Sequence, residues 1–333
     1  MFYPIYMETF NFCEKGRYFM KTIAFVFPGQ GSQTIGMGKE IYENFAVARA
    51  VFQAADEALG FSITHMCFNG PEDELRKTVN TQPAILTVSI ALFEVLKEHG
   101  IVPNIVAGHS LGEYSALVAA GALSFSDAVQ LVRKRGLFMQ EAVPLGEGSM
   151  AAILGSERQL VIDICQKAQA EFGAVQAVNF NCPGQIVIAG KTQAVEKAAE
   201  MLKAAGAKRA VILPVSAPFH STLMKPAAEK LAIELSKITI NNAGIPVVAN
   251  INGQIITNNR DIEVSLVKQA DSPVEWEDCV SEIVKFGATT FVEVGPGKVL
   301  SAFTKKIVKE IDNLNVEDGN GLEKTLDYFK EVR

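Results

Sequence analysis

Three residues far apart in the chain have side chains that could attack a carbonyl, take up a proton and bind an anion: Ser110, His220 and Arg135. Ser110 lies in IVAGHSLGEYSALVAAGAL, between Gly108 and Gly112. IVAG (105–108) reads as a short apolar strand, and the small-residue stretch after the serine reads as a helix ending near Gly121. The serine therefore sits at a strand-to-helix turn. A hydroxyl raised on such an elbow can act as a nucleophile. The helix start beside it offers free N–H donors and a positive dipole end. The amide of Leu111 can then point at an oxyanion formed on an attacked carbonyl. The pentapeptide alone could be a plain turn; the flanking strand and helix favour the nucleophile.

A serine nucleophile needs a base, and the chain has four histidines. His99 stands at a helix end in EHG, where it reads as a cap. His65, in SITHMCF, has no chemical neighbours and reads as structural. His109 adjoins the serine, so its side chain points elsewhere from Ser110. His220, in VSAPFHS, follows a strand and is the base by elimination. Only Asp127 and Asp163 fall between Ser110 and His220. The first looks like a helix cap and the second lies inside a helix. The imidazole is therefore expected to be oriented by a neutral acceptor, such as a carbonyl oxygen.

DAVQLVRKRGLFMQEA reads as a helix with Gly136 as its weak point. Ala128, Val132, Arg135 and Met139 fall on one stripe, so Arg135 sits in the middle of the apolar face. A buried guanidinium needs an anion. Stripe geometry alone favours an internal salt bridge. The alternative is a bidentate clamp for a substrate carboxylate.

The 333 residues suffice for about two domains, and the five cysteines, never in CxxC spacing, fit reduced thiols in a cytosol. A net charge of −6 argues against a general nucleic-acid binder. No unbroken apolar run reaches the roughly 18 residues of a membrane helix. FPGQGSQTIGMGKE is not a phosphate loop: Gln33 and Glu40 stand where a Walker A match would need Gly and Ser or Thr. Thr34 breaks a dinucleotide GxGxxG from Gly29. The loop can instead give a second backbone donor to an oxyanion hole.

The elements that must position these residues begin with a buried strand at 22–27. Helices are expected at 37–59 and from Pro83 to Gly100. Residues 149–215 run β-α-β-β-α-β, the order of a small ferredoxin-like unit. Strand-and-helix alternation resumes in IPVVANI, SLVKQA, VSEIVKFG and TTFVEVG, so the unit reads as an insertion. The expected division is an extension at 1–19, either an upstream start or a disordered tail; a discontinuous large α/β domain at 20–145 and 216–315; a small domain at 146–215; and a polar tail at 316–333.

FPGQGSQ, GHSLGEY, RGLFMQEAVP, NFNCPGQIVIAG, APFHSTLM, SPVEW and EVGPGKVL occur in this order. Together they closely resemble the malonyl-CoA:acyl carrier protein transacylase family, from Met20 to about residue 310. The resemblance implies an α/β hydrolase-like large domain with a parallel sheet and an inserted ferredoxin-like domain. It implies a cytoplasmic monomer without cofactor or metal. The malonyl group would pass from malonyl-CoA through a malonyl-serine to the phosphopantetheine thiol of acyl carrier protein, serving fatty acid synthesis. Ser110 and His220 would be catalytic, and Arg135 would hold the malonyl carboxylate. The amides of Gln30 and Leu111 would form the oxyanion hole, Gln269 would offer its backbone carbonyl to His220, and His109 would line the site, with Asn181 facing the cleft. The rival reading is a serine esterase or thioesterase of similar fold, which would have no use for Arg135.

Overall fold

The computed structural model describes residues 21–215 and 217–332. The expected extension at 1–19 lies outside them. Two sheets organise the chain. The larger contains β1 (Ile23–Phe27), β2 (Ile105–Gly108), β7 (Val247–Val248), β8 (Ile255–Ile256), β9 (Thr290–Val294) and β10 (Asp312–Val316). Their order is β10-β9-β1-β2-β7-β8, all parallel except for β8 on the edge. A parallel sheet covered on both faces needs apolar residues on both sides of its strands. In β1, Phe25 and Phe27 enter one core while Ala24 and Val26 enter the other. Burying each such phenylalanine is worth about 1.5–3 kcal/mol.

The smaller sheet contains β3 (Gly148–Leu154), β4 (Val175–Cys182), β5 (Gln185–Lys191) and β6 (Arg209–Ile212), in the antiparallel order β4-β5-β3-β6. With its two helices, Arg158–Phe172 and Thr192–Ala204, this is the expected β-α-β-β-α-β arrangement. A parallel bridge from Asn179 to Val274 ties the small sheet to the segment before Trp276. The fold is thus mixed α/β and hydrolase-like, with a four-stranded sheet set between elements of the parallel one.

Several boundaries differ from the periodicity reading. The first helix is two, Lys39–Asn44 and Ala46–Leu59, because Phe45 is extended at φ −122 and ψ 123. The next runs Thr78–Glu98, starting five residues before Pro83 and capped at its end by His99. Its length and composition would allow it to cross a bilayer, yet 89% of its apolar window is buried inside the fold. Gly136 is a close crossing rather than a weak point. A Cβ there would lie 2.6 Å from the Thr78 carbonyl oxygen. Residues 316–332 are not a polar tail. Strand β10 ends at Val316, and Asp318 accepts from the Gly321 amide to cap the helix Gly319–Glu331. Leu322 and Phe329 of that helix are buried, and Leu326 packs partly buried beside them. Their helical spacing was masked by the polar residues between them.

The strand-to-helix elbow depends on two glycines. A Cβ on Gly108 would lie 1.9 Å from the Gly112 carbonyl oxygen, and one on Gly112 would lie 2.0 Å from the Phe27 carbonyl oxygen. Gly108→Ala should therefore destabilise the fold by about 2–3 kcal/mol, the upper range of overpacking losses. Thermal and denaturant unfolding check this, and an unchanged midpoint would show that the elbow yields freely.

Candidate active site

Among the described residues, Ser110 and His220 are the only non-glycines with positive φ, at 52 and 62 degrees. Strained backbone of this kind costs about 1–3 kcal/mol per residue and persists where surrounding bonds over-determine it. At Ser110 those bonds are visible. Its amide donates to Asn250 Oδ1 at 2.7 Å, and its carbonyl accepts from Gln269 Nε2 at 2.9 Å. Asn250 Nδ2 donates to the Gly108 carbonyl at 2.7 Å, so one asparagine spans the elbow. Leu111 opens the helix Leu111–Ala119 directly after the serine, where first-turn amides lack helical partners.

His220 comes from the turn after β6, where Ser221 Oγ donates to the Pro218 carbonyl at 2.7 Å. The Ser110 hydroxyl donates to His220 Nε2 at 2.7 Å. On the other side of the ring, Nδ1–H donates to the Gln269 carbonyl oxygen at 2.8 Å. A carbonyl can only accept, so it selects the tautomer with a free lone pair on Nε2. The neutral acceptor expected in place of a carboxylate is thus Gln269. Burial, then the Arg135 guanidinium, push the His220 imidazole down to about 3.

Arg135 lies in the helix Phe125–Glu141, on the same buried stripe as Ala128, Val132 and Met139. It is 2% exposed. Nη1 donates to Gln82 Oε1 at 2.8 Å, and Nη2 donates to Gln269 Oε1 at 2.9 Å and to Ser110 Oγ at 3.2 Å. The Tyr114 ring lies 5.3 Å from its guanidinium carbon. Among the described residues no carboxylate lies within ion-pair distance of Arg135. The internal salt bridge that stripe geometry favoured is therefore absent there. A full positive charge is held by neutral amide oxygens beside the Ser110 hydroxyl.

One cavity is lined by Ser110, His220, Arg135, Gln30, Leu111 and His109. Gln269 stands behind it, reaching both His220 and Arg135. The opposite wall is apolar: Met139, Met150, Leu213, Val215 and Phe219. The small sheet and its flanking turn supply most of that wall. His109 Nε2–H donates to Asn181 Oδ1 at 2.8 Å, and desolvation pushes its imidazole down to about 4. Asn181 sits behind His109, and the asparagine lining the cavity is Asn179. A register shift in β4 between Ala177 and Asn179, and another between Phe180 and Cys182, broke the simple alternation. Sequence reasoning also missed Gln82, Glu113 and Asn250. The signals available for them, TQPA, GHSLGE and VVAN, have no chemistry until the elements meet.

A base with a lowered pKa stops working only when the pH falls through that value. Sulfonylation of Ser110 by a neutral sulfonyl fluoride, with loss of fluoride, should thus keep its acid limb well below the ordinary imidazole value of 6.5. Arg135→Gln removes a cation that disfavours protonated His220, and should move that limb to higher pH. The pH–rate profiles of both proteins check this; a limb that stays put in the variant would mean that the guanidinium does not act on the imidazole.

The acyl transferase domain profile matches residues 24–327. The chain is 52% identical over 312 residues to the malonyl CoA-acyl carrier protein transacylase of Bacillus subtilis, covering 94% of this chain and 98% of that protein. Identity to the Escherichia coli K12 protein of the same name is 51% over 290 residues, 87% and 94% of the two chains. The crystal structure of the Clostridium perfringens transacylase superposes with a TM-score of 0.90 at 46% identity, covering 93% of this chain and 98% of the other. A malonyl-transacylase solved in complex with its type II PKS acyl-carrier protein gives 0.90 at 44% identity, covering 92% and 99%. The chain belongs to the malonyl CoA-acyl carrier protein transacylase family of acyl transferases.

Proposed function

We propose that this chain moves a malonyl group from malonyl-CoA to the phosphopantetheine thiol of acyl carrier protein. The observation that carries this reading is Arg135: a buried guanidinium 3.2 Å from the Ser110 hydroxyl, with neutral partners only among the described residues. A serine esterase for neutral acyl groups would bury that charge at a cost and gain nothing. An acyl group that ends in a carboxylate supplies the missing anion.

In the first half-reaction, Ser110 Oγ attacks the thioester carbonyl while its proton passes to His220 Nε2. The carbonyl oxygen gains the negative charge, and the amides of Gln30 and Leu111 are the donors we assign to it. The tetrahedral intermediate collapses, the carbon–sulfur bond breaks, and the protonated imidazole returns its proton to the coenzyme A sulfur. The second half-reaction runs the same path in reverse order with the carrier thiol: His220 takes its proton, sulfur attacks the malonyl-serine, and the proton ends on Ser110 Oγ. Thioester exchanges for thioester, so water must be kept out. The apolar wall formed by Met139, Met150, Leu213, Val215 and Phe219 serves that need.

The four cysteines among the described residues are free and buried, which suits a reducing, cytoplasmic setting.

Intact mass after mixing with malonyl-CoA should rise by one malonyl group in the wild type and stay unchanged in Ser110→Ala. Arg135→Ala should lower kcat/KM for malonyl-CoA by about two orders of magnitude, the loss of a buried charge pair worth about 3 kcal/mol. Transfer of acetyl should be spared or raised. Equal losses for both acyl groups would favour the esterase reading.

A further inference from the structure

Glu113 is a buried acid with no step in the mechanism above. It lies one helical turn after Ser110 and is 0% exposed. Three donors converge on it: Gln269 Nε2 at 2.8 Å, the Asn250 amide at 3.1 Å and Ser265 Oγ at 3.3 Å. A structural role would end there, with a buried carboxylate satisfied by its neighbours. The second end of Gln269 points further. An ionised carboxylate only accepts, so the Gln269 amide must turn its NH2 toward Glu113. That orientation leaves Oε1 for Arg135 Nη2, at 2.9 Å. The same residue's main-chain carbonyl holds His220.

Resting on the malonyl-transfer reading, we propose that Glu113 is a positioning residue for the malonyl-binding arginine. Its carboxylate locks the Gln269 amide in one orientation, and Gln269 in turn aims the Arg135 guanidinium into the cleft. Glu113 also places a negative charge one amide away from a buried cation that no carboxylate among the described residues touches. Burial pushes the Arg135 guanidinium below its ordinary value, and Tyr114 and then Glu113 are the groups that pull it back toward the charged form. Burial pushes the Glu113 carboxyl up to about 7, against the pull of the Gln269, Asn250 and Ser265 hydrogen bonds and of Arg135, so the ionised form that fixes the Gln269 amide dominates above that pH. An amide-held relay separates the two charges, so the guanidinium keeps its outer donors for substrate. A direct Glu–Arg pair would occupy them.

The test compares two reactions of the full chain. Malonyl transfer to acyl carrier protein needs Arg135, whereas inactivation by a neutral sulfonyl fluoride needs only Ser110 and His220. Glu113→Gln keeps the shape but lets the facing amides pair either way round. The ratio of kcat/KM for malonyl-CoA to the inactivation rate should fall about tenfold, the equivalent of one lost hydrogen-bonded partner. The fall should appear as a raised KM. A purely structural role would lower both rates and the melting temperature together and leave the ratio unchanged, which overturns the proposal. Should Glu113→Gln fail to fold, Glu113→Asp keeps the charge but retreats from Gln269 by one methylene. Its ratio should fall by less than tenfold, and an unchanged ratio again overturns the proposal. A wild type that reacts with the sulfonyl fluoride yet transfers no malonyl group would count against the function itself instead.

Discussion

A guanidinium kept out of water beside the Ser110 hydroxyl, with no carboxylate among the described residues touching it, is the constraint around which this fold is arranged. Leaving such a charge without partners would be prohibitive. The protein meets it with two amide oxygens from Gln82 and Gln269 and the face of Tyr114. These partners soften the penalty without neutralising the charge. A bound carboxylate therefore gains more here than it would in water, where the field of one cation is screened. On the proposed reading, selectivity for a charged acyl group follows from burial as much as from contact.

The same network holds the catalytic pair. Ser110 and His220 both adopt backbone conformations that side chains avoid, and both are pinned by Gln269, the first through its carbonyl and the second through its ring. Asn250 pins the elbow from the other side. Strain is tolerated here because several short bonds act at once on a few residues. The loops after β1 and β2 carry Gln30 and Ser110 to the carboxyl ends of neighbouring parallel strands, where open α/β sheets gather their sites. The four-stranded sheet then closes the cleft with apolar side chains, which lowers the local dielectric and strengthens each of these interactions.

Much of this was legible before any coordinates. The elbow was readable because its two glycines, flanking strand and following helix are all local in sequence. Arg135 was readable because a helical stripe places it among Ala128, Val132 and Met139. Its partner was not: the salt bridge that burial alone suggested gave way to amides from two other helices, of which the one carrying Gln82 makes the close crossing at Gly136. The C-terminal residues were misread for a related reason. Leu322, Leu326 and Phe329 are spaced for a helix, but their polar neighbours hid the pattern until β10 offered a surface to pack on.

What the sequence determined by itself were the local rules: which stretches alternate, which glycines permit a tight turn, which residue types can attack, draw off a proton or bind an anion. The tertiary structure alone decided who meets whom. Ser110 and His220 are 110 positions apart and share a hydrogen bond, and Glu113 reaches Gln269 across 156 positions. No periodicity encodes such pairings. They arise because parallel strands bring distant loops to one edge of a sheet, and because buried donors and acceptors must find each other there or leave the fold unstable.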